Sequence, residues 1–250
     1  MPLEFIDFPR VFNLRDLGGL TTRDGRVIRP GLLYRSDNLG VLADEALPPA
    51  DRDRFGSLGV RTIIDLRQPA EIERHGGRAP DWTCSTWHNV PLNNPAWRDE
   101  DYSEVDGPAA YLLARYHEAA HSSGTYIART IGLLADPAAV PVAIHCLGGR
   151  DRTGIIIAFV EDLLGVPDET IAADYHFTEQ STRRFMTWFR TVRPDARDLL
   201  PYLDVTPPEV ILTFLADLRA EYGSVQSYLE LHGLTEGQVQ ALRSIYLADV

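Results

Sequence analysis

The chain has 250 residues, 44% hydrophobic and 24% charged, with a formal net charge of −12; these are the proportions of a globular protein with room for one sizeable core. Such acidity argues against nucleic acid or an anionic membrane as partner, because the overall field repels polyanions. Two cysteines, Cys84 and Cys146, do not make a disulfide framework. The first residues lack the basic start and apolar run of a signal peptide. No stretch nears the roughly 18 apolar residues of a membrane span. The expected setting is a reducing cytoplasm with free thiols, and export without a signal peptide stays open.

In chain order, residues 26–36 read as short extended pieces around a Pro-Gly turn. Residues 53–59 end a helix at Gly59, a suitable cap. The apolar, β-rich run 60–66 (VRTIIDL) predicts a buried strand, and 82–92 another. Cys84 falls in that second strand and reads as a small buried hydrophobe. Residues 93–108 are acidic and broken by proline, a surface loop, and 109–136 are helical with an interruption near Ser122-Ser123-Gly124. A third strand, 140–146 (VPVAIHC), runs into LGGRD and then an apolar helix ended by Gly165. Helix continues over 167–190, a Pro-broken segment covers 194–208, and helices follow around 209–222 and 235–247. Helices alternating with apolar strands predict an α/β fold, a central and largely parallel sheet flanked by helices. The whole of 1–250 reads as one domain, with 178–208 as a helical lid.

The informative segment is His145-Cys146-Leu147-Gly148-Gly149-Arg150-Asp151-Arg152-Thr153-Gly154. A turn from a buried strand into a helix N-terminus aims several backbone N–H groups at one point, and the helix dipole adds positive potential there. Such a nest holds a phosphate-sized anion, and Gly148 and Gly149 permit close approach and positive φ. The expected phosphate-binding residues are Leu147, Gly148, Gly149, Arg150, Asp151 and Arg152. A thiol in the nest loses its proton readily, which makes Cys146 the candidate nucleophile. Arg152 can set its planar fork on two phosphate oxygens in the ground and transition states. Thr153 is expected to donate its hydroxyl to the sulfur, and His145 to order the loop.

HCLGGRDRTG resembles the active-site signature of the protein-tyrosine-phosphatase superfamily. NLRDLGG (13–19), LYRS (33–36), GVRTIIDLR (59–67), VPDETIAADYH (166–176) and EYGSVQSYL (221–229) resemble a bacterial tyrosine/serine phosphatase family. The resemblance covers essentially the whole chain. It implies a phosphatase fold with a lid, no cofactor, and hydrolysis of phosphotyrosine, with phosphoserine and phosphothreonine as further substrates, through a phosphocysteine. The partner is then a phosphorylated protein; a phosphoinositide with the same mechanism is the alternative, ahead of a non-catalytic phosphate-binding module, which would lack Cys146 or Arg152. The family usually carries Lys where this chain has Arg150, a residue implied to read further phosphates.

A phosphatase also needs an acid for the leaving oxygen. Asp151 lies inside the turn, in the Asp-Arg order that resembles lipid phosphatases whose loop Asp is implicated as acid. Asp99, Asp101 and Asp106 in the acidic loop are the alternatives. NLRDLGG reads as a glycine turn with a buried Arg15–Asp16 pair bracing the N-terminus, with a supporting role near the loop as the second option. No G-x-x-x-x-G-K-[ST] segment argues for a nucleotide triphosphatase, and no His, Cys and carboxylate cluster at metal spacing implies a metal.

Overall fold

A computed structural model describes residues 3–45, 47–92 and 99–249. Five short strands form the main sheet: β1 (Arg15–Asp16), β3 (Leu33–Ser36), β4 (Thr62–Asp65), β5 (Thr86–Asn89) and β6 (Val142–His145). Their spatial order is β1-β3-β6-β4-β5. β3, β6, β4 and β5 are parallel and only β1 is antiparallel. A small second sheet pairs β2 (Val27–Ile28) with β7 (Leu247–Ala248), tying the end of the chain to its beginning.

The sheet is covered on both faces, which is why its strands are apolar runs rather than alternating ones. Ile64, Val142 and Ile144 point into the larger core with Ile156, Phe159 and Phe214. Their neighbours Ile63 and Ala143 point the other way, against Phe8, Leu14 and Phe55. The period of two sorts the faces. Helix α1 (Pro49–Ser57) and the N-terminal segment cover the smaller side. The larger side is covered by α3 (Gly107–Leu134), α4 (Asp151–Leu164), α5 (Asp168–Val192), α7 (Pro208–Tyr222), α8 (Val225–Leu231) and α9 (Glu236–Tyr246). Two short helices, α2 (Pro69–Arg74) and α6 (Pro201–Asp204), complete the fold.

Two readings need correction. Helix α3 runs unbroken through Ser122-Ser123-Gly124, because Ser122 donates back to the Glu118 carbonyl at 2.8 Å and Gly124 gives His232 room where a Cβ would lie 2.4 Å from its ring. Cys84 is exposed, in the left-handed region at φ 54°, one residue past a 3-10 turn and outside the strand. Residues 93–98 of the acidic loop lie outside the described residues, while 99–101 form a 3-10 turn. Helix α8 and strand β7 were not expected; both fall in short segments whose pairing is tertiary.

Parallel strands place their C-terminal ends on one edge. Ser36, His145 and Asp65 are in register there, so the segments after β3, β6 and β4 open onto the same crevice, where ligands of open α/β sheets bind.

Candidate active site

The turn 146–150 leaves β6 and enters α4. Its carbonyls are tied from behind. The backbone N–H of Asn38 donates to the Leu147 carbonyl at 3.1 Å, Asn13 Nδ2 to the Gly148 carbonyl at 3.0 Å, and an Arg35 nitrogen to the Gly149 carbonyl at 2.8 Å. A trans peptide sets its N–H opposite its C=O. Pulling these carbonyls outward therefore turns the amides of Gly148, Gly149 and Arg150 to the concave side. The Gly149 N–H lies 3.2 Å from Cys146 Sγ, and the sulfur's residue is only 3% exposed. Gly149 has φ +68°, and an added Cβ would sit 2.4 Å from the Ser36 carbonyl oxygen. Gly148 differs from expectation: its φ is not positive and a Cβ there meets nothing within 4 Å among the described residues.

The backing is itself anchored. Asn13 also accepts from Arg15. Arg15 and Arg35, both fully buried, share the carboxylate of Asp174 on α5. The sequence had suggested Arg15 with Asp16; Asp16 instead accepts from the amides of Gly18 and Gly31. Glu161 of α4 lies buried in the same cluster, neither oxygen hydrogen-bonded among the described residues, and burial first, then the charge of Asp174, push its carboxyl well above its usual range. Asn38 is held by Arg67, whose guanidinium reaches it at 2.7 Å and grips Asp65 at 2.9 and 2.7 Å. His145 is buried, with Nδ1 at 3.1 Å from the Cys146 carbonyl. Burial holds its pKa down despite Asp65, and because a carbonyl only accepts, Nδ1 is the donor in that contact.

Arg152 stands on the first turn of α4, paired end-on through both terminal guanidinium nitrogens with Glu71 of α2 at 2.6 and 2.7 Å. Glu71 also accepts from the Gln68 amide at 2.8 Å, closing a capping box. Burial opposes both charges, yet the pair outweighs it: Arg152 is raised and Glu71 lowered from their ordinary values. A two-pronged pair fixes the plane of the guanidinium.

Arg150 is 6% exposed. Its Nε donates to Asp151 at 3.0 Å and its NH1 to the carbonyls of Leu203 and Val205 at 2.9 and 3.1 Å. Its side chain thus braces the 203–205 segment. Asp151 Oδ1 further accepts from Tyr116 at 2.8 Å. Thr153 is buried, but its hydroxyl makes no hydrogen bond among the described residues, to the sulfur or otherwise. Of the alternative acids, Asp101 is exposed and 3.5 Å from Arg115, Asp106 is exposed ahead of α3, and the side chain of Asp99 lies outside the described residues.

Sequence reasoning missed Asn13, Arg35, Asn38, Glu71, Tyr116 and Asp174. The first two lie in NLRD and LYRS; the pattern Gln68-Pro69-x-Glu71 after a strand is a readable cap but says nothing of Arg152. Among the described residues no group of three or more His, Cys, Asp or Glu could hold a metal, and no helix is long and apolar enough to cross a membrane.

The pattern of the tyrosine phosphatase family matches residues 6–248. The triple specificity protein phosphatase PtpB of Mycobacterium tuberculosis is 27% identical over 96% of this chain and 98% of its own. A protein of Cupriavidus necator is 29% identical over 96% of this chain and 88% of its own, and a tyrosine-protein phosphatase of Nostoc commune 28% over 84% and 72%. Among solved structures, the core catalytic domain of the PP-IP phosphatase SIW14 of S. cerevisiae, in complex with citrate, aligns over 85% of this chain and 94% of its own. The identity is 18% and the TM-score 0.31, a superposition too loose to add to the comparison.

Proposed function

The chain belongs to the tyrosine phosphatase family and is a tyrosine phosphatase, and on that premise we propose that Cys146, Arg152 and Asp151 carry out phosphate monoester hydrolysis in two steps. The Cys146 thiolate attacks phosphorus, forming an S–P bond as the P–O bond to the leaving group breaks. Asp151 gives its proton to the departing oxygen. Water then attacks the phosphocysteine, Asp151 takes a proton from it, and phosphate and thiolate are released. The amides of Gly148, Gly149 and Arg150 hold the phosphoryl oxygens, and Arg152 meets two of them with its fork. The observation that carries this reading is the turn itself, its three carbonyls tied outward and its Gly149 amide on the sulfur.

We read 178–208 as a lid, supported by the Arg150 bonds to the Leu203 and Val205 carbonyls. The name of the mycobacterial relative, a triple specificity phosphatase, supports a substrate range beyond phosphotyrosine; phosphoserine, phosphothreonine and phosphoinositide are the members to test. The deciding experiment is acid quench during turnover of an aryl phosphate, followed by mass spectrometry. A phosphoryl adduct on Cys146, missing from Cys146→Ser together with all turnover, is expected. Turnover retained by Cys146→Ser would overturn the assignment. A panel of phosphotyrosine, phosphoserine and phosphoinositide then ranks substrates.

A further inference from the structure

We infer that Tyr116 is the positioning residue for the Asp151 carboxyl, fixing which of its oxygens carries the transferable proton; this rests on the reading of Asp151 as the acid. Tyr116 comes from the middle of α3, 35 residues before Asp151, and is 1% exposed. Its hydroxyl lies 2.8 Å from Asp151 Oδ1 and 2.7 Å from the hydroxyl of Tyr175 on α5. A phenol has one proton to donate and a lone pair to accept with. Tyr116 gives its proton to the carboxylate, which has none to offer when ionised, so Tyr175 must donate to Tyr116. The chain therefore runs one way, Tyr175 to Tyr116 to Asp151. Both rings are fixed, edge to face at 6.1 Å and 86°, and Tyr175 packs on Gly154, where a Cβ would lie 3.2 Å from its ring. Burial, above all, keeps both phenols protonated, so they remain donors at any working pH.

The two oxygens of Asp151 are consequently unequal. Oδ1 accepts from Tyr116 and from Arg150 Nε at 3.0 Å. Oδ2 has a longer contact, 3.3 Å, to the other Arg150 nitrogen. With two donors on Oδ1, the proton of the neutral acid sits on Oδ2, and that oxygen serves the leaving group. After transfer, the charge left behind is stabilised by the donors already in place, without reorganisation. A carboxylate deprived of such a donor holds its proton to higher pH.

The test is the pH profile of kcat on an alkyl phosphate, in wild type, Asp151→Asn, Tyr116→Phe and Tyr175→Phe, with thermal unfolding measured alongside. Tyr116→Phe keeps the ring and removes the donor. Its alkaline limb should move up by about one pH unit, the effect of one lost charge-assisted hydrogen bond. Its kcat on the alkyl phosphate should drop about tenfold, with KM and turnover of an aryl phosphate with a good leaving group near wild type. Asp151→Asn should have no alkaline limb. If Asp151→Asn loses the limb while that of Tyr116→Phe stays in place, the inference about Tyr116 is wrong and the acid stands. If Asp151→Asn keeps the limb, the acid assignment fails and this inference with it. Should Tyr116→Phe not fold, Tyr175→Phe decides: removing the donor behind Tyr116 weakens the chain. It should move the limb upward by a smaller step, and an unmoved limb would overturn the proposal.

Discussion

Gly148 and Gly149 are chemically identical neighbours for which the structure requires opposite responses to alanine. At Gly149 the backbone is left-handed, φ +68°, which costs an L-residue about 1–2 kcal/mol. The new methyl would also lie 2.4 Å from the Ser36 carbonyl oxygen, 2.7 Å from the Ser36 carbonyl carbon and 2.8 Å from Asn13 Nδ2. Two of these atoms are the backbone of β3, which cannot swing aside, and relief of such overpacking costs roughly 1–3 kcal/mol. The total is about 2–5 kcal/mol, and the cheaper escape is for the turn to lift off β3 and Asn13. That movement releases the carbonyls that orient the amides. A displacement of about 1 Å can lower turnover about 100-fold. Gly148→Ala meets nothing within 4 Å among the described residues and should change neither stability nor turnover by more than a few-fold. The assays are thermal unfolding, turnover of an aryl phosphate and vanadate affinity for both variants. Wild-type turnover in Gly149→Ala, or equal damage from both, would refute the claim that the turn is held from behind.

Two further outcomes follow from the same geometry. Glu71→Ala removes both prongs that orient Arg152, so kcat/KM should fall about 10- to 100-fold, the equivalent of one or two hydrogen bonds to a charged group, while iodoacetamide still alkylates Cys146; an unchanged kcat/KM would show that Arg152 needs no partner. Burial raises the Asp37 carboxyl from 3.8 to about 6, although it accepts from the amides of Phe12 and Asn13. Its protonated form is thus favoured by the fold, and its contribution, about 3 kcal/mol, is present below pH ~4 and lost as pH rises through about 6. Denaturant unfolding across that window should show this loss in wild type and not in Asp37→Asn; parallel curves would contradict it.

The nucleophile and its arginine were readable because their relation is local: six residues, one strand end and one helix start. The strands were readable because both faces of the sheet are covered, which leaves apolar runs. What aims the chemistry was not readable, because the contacts that tie the turn's carbonyls and Arg152 in place are long-range. Asn13 reaches Gly148 across 135 positions, Arg35 reaches Asp174 across 139, and Arg152 reaches Glu71 across 81. Composition misled at Cys84, where Thr83-Cys84-Ser85 has the look of a strand, yet the chain turns through a left-handed residue before β5 begins. Arg150 was legible only as a charge in the signature: the bonds of its guanidinium to Asp151 and to the carbonyls at 203 and 205 depend on tertiary structure.

A net charge of −12 and a dianionic substrate repel one another, so the site's attraction has to be short-ranged. The guanidiniums around the turn do not supply a large surplus. Arg152 is matched by Glu71, Arg150 by Asp151, and Arg15 and Arg35 divide Asp174 between them. With Glu161 pushed toward its protonated form and Asp151 carrying the proton it donates, four arginines face two carboxylates and the Cys146 thiolate. What remains for the phosphate is about one unit of charge, the turn's amides and the α4 dipole, whose influence fades within a turn of helix. Beyond a Debye length, about 10 Å at 0.1 M salt, the substrate meets only the acidic surface. Raising ionic strength from about 10 to 150 mM with a weakly binding salt should therefore screen repulsion and raise kcat/KM on a small aryl phosphate by a few-fold. A steady fall over that range would mean that unmatched cations, rather than oriented amides, draw the substrate in.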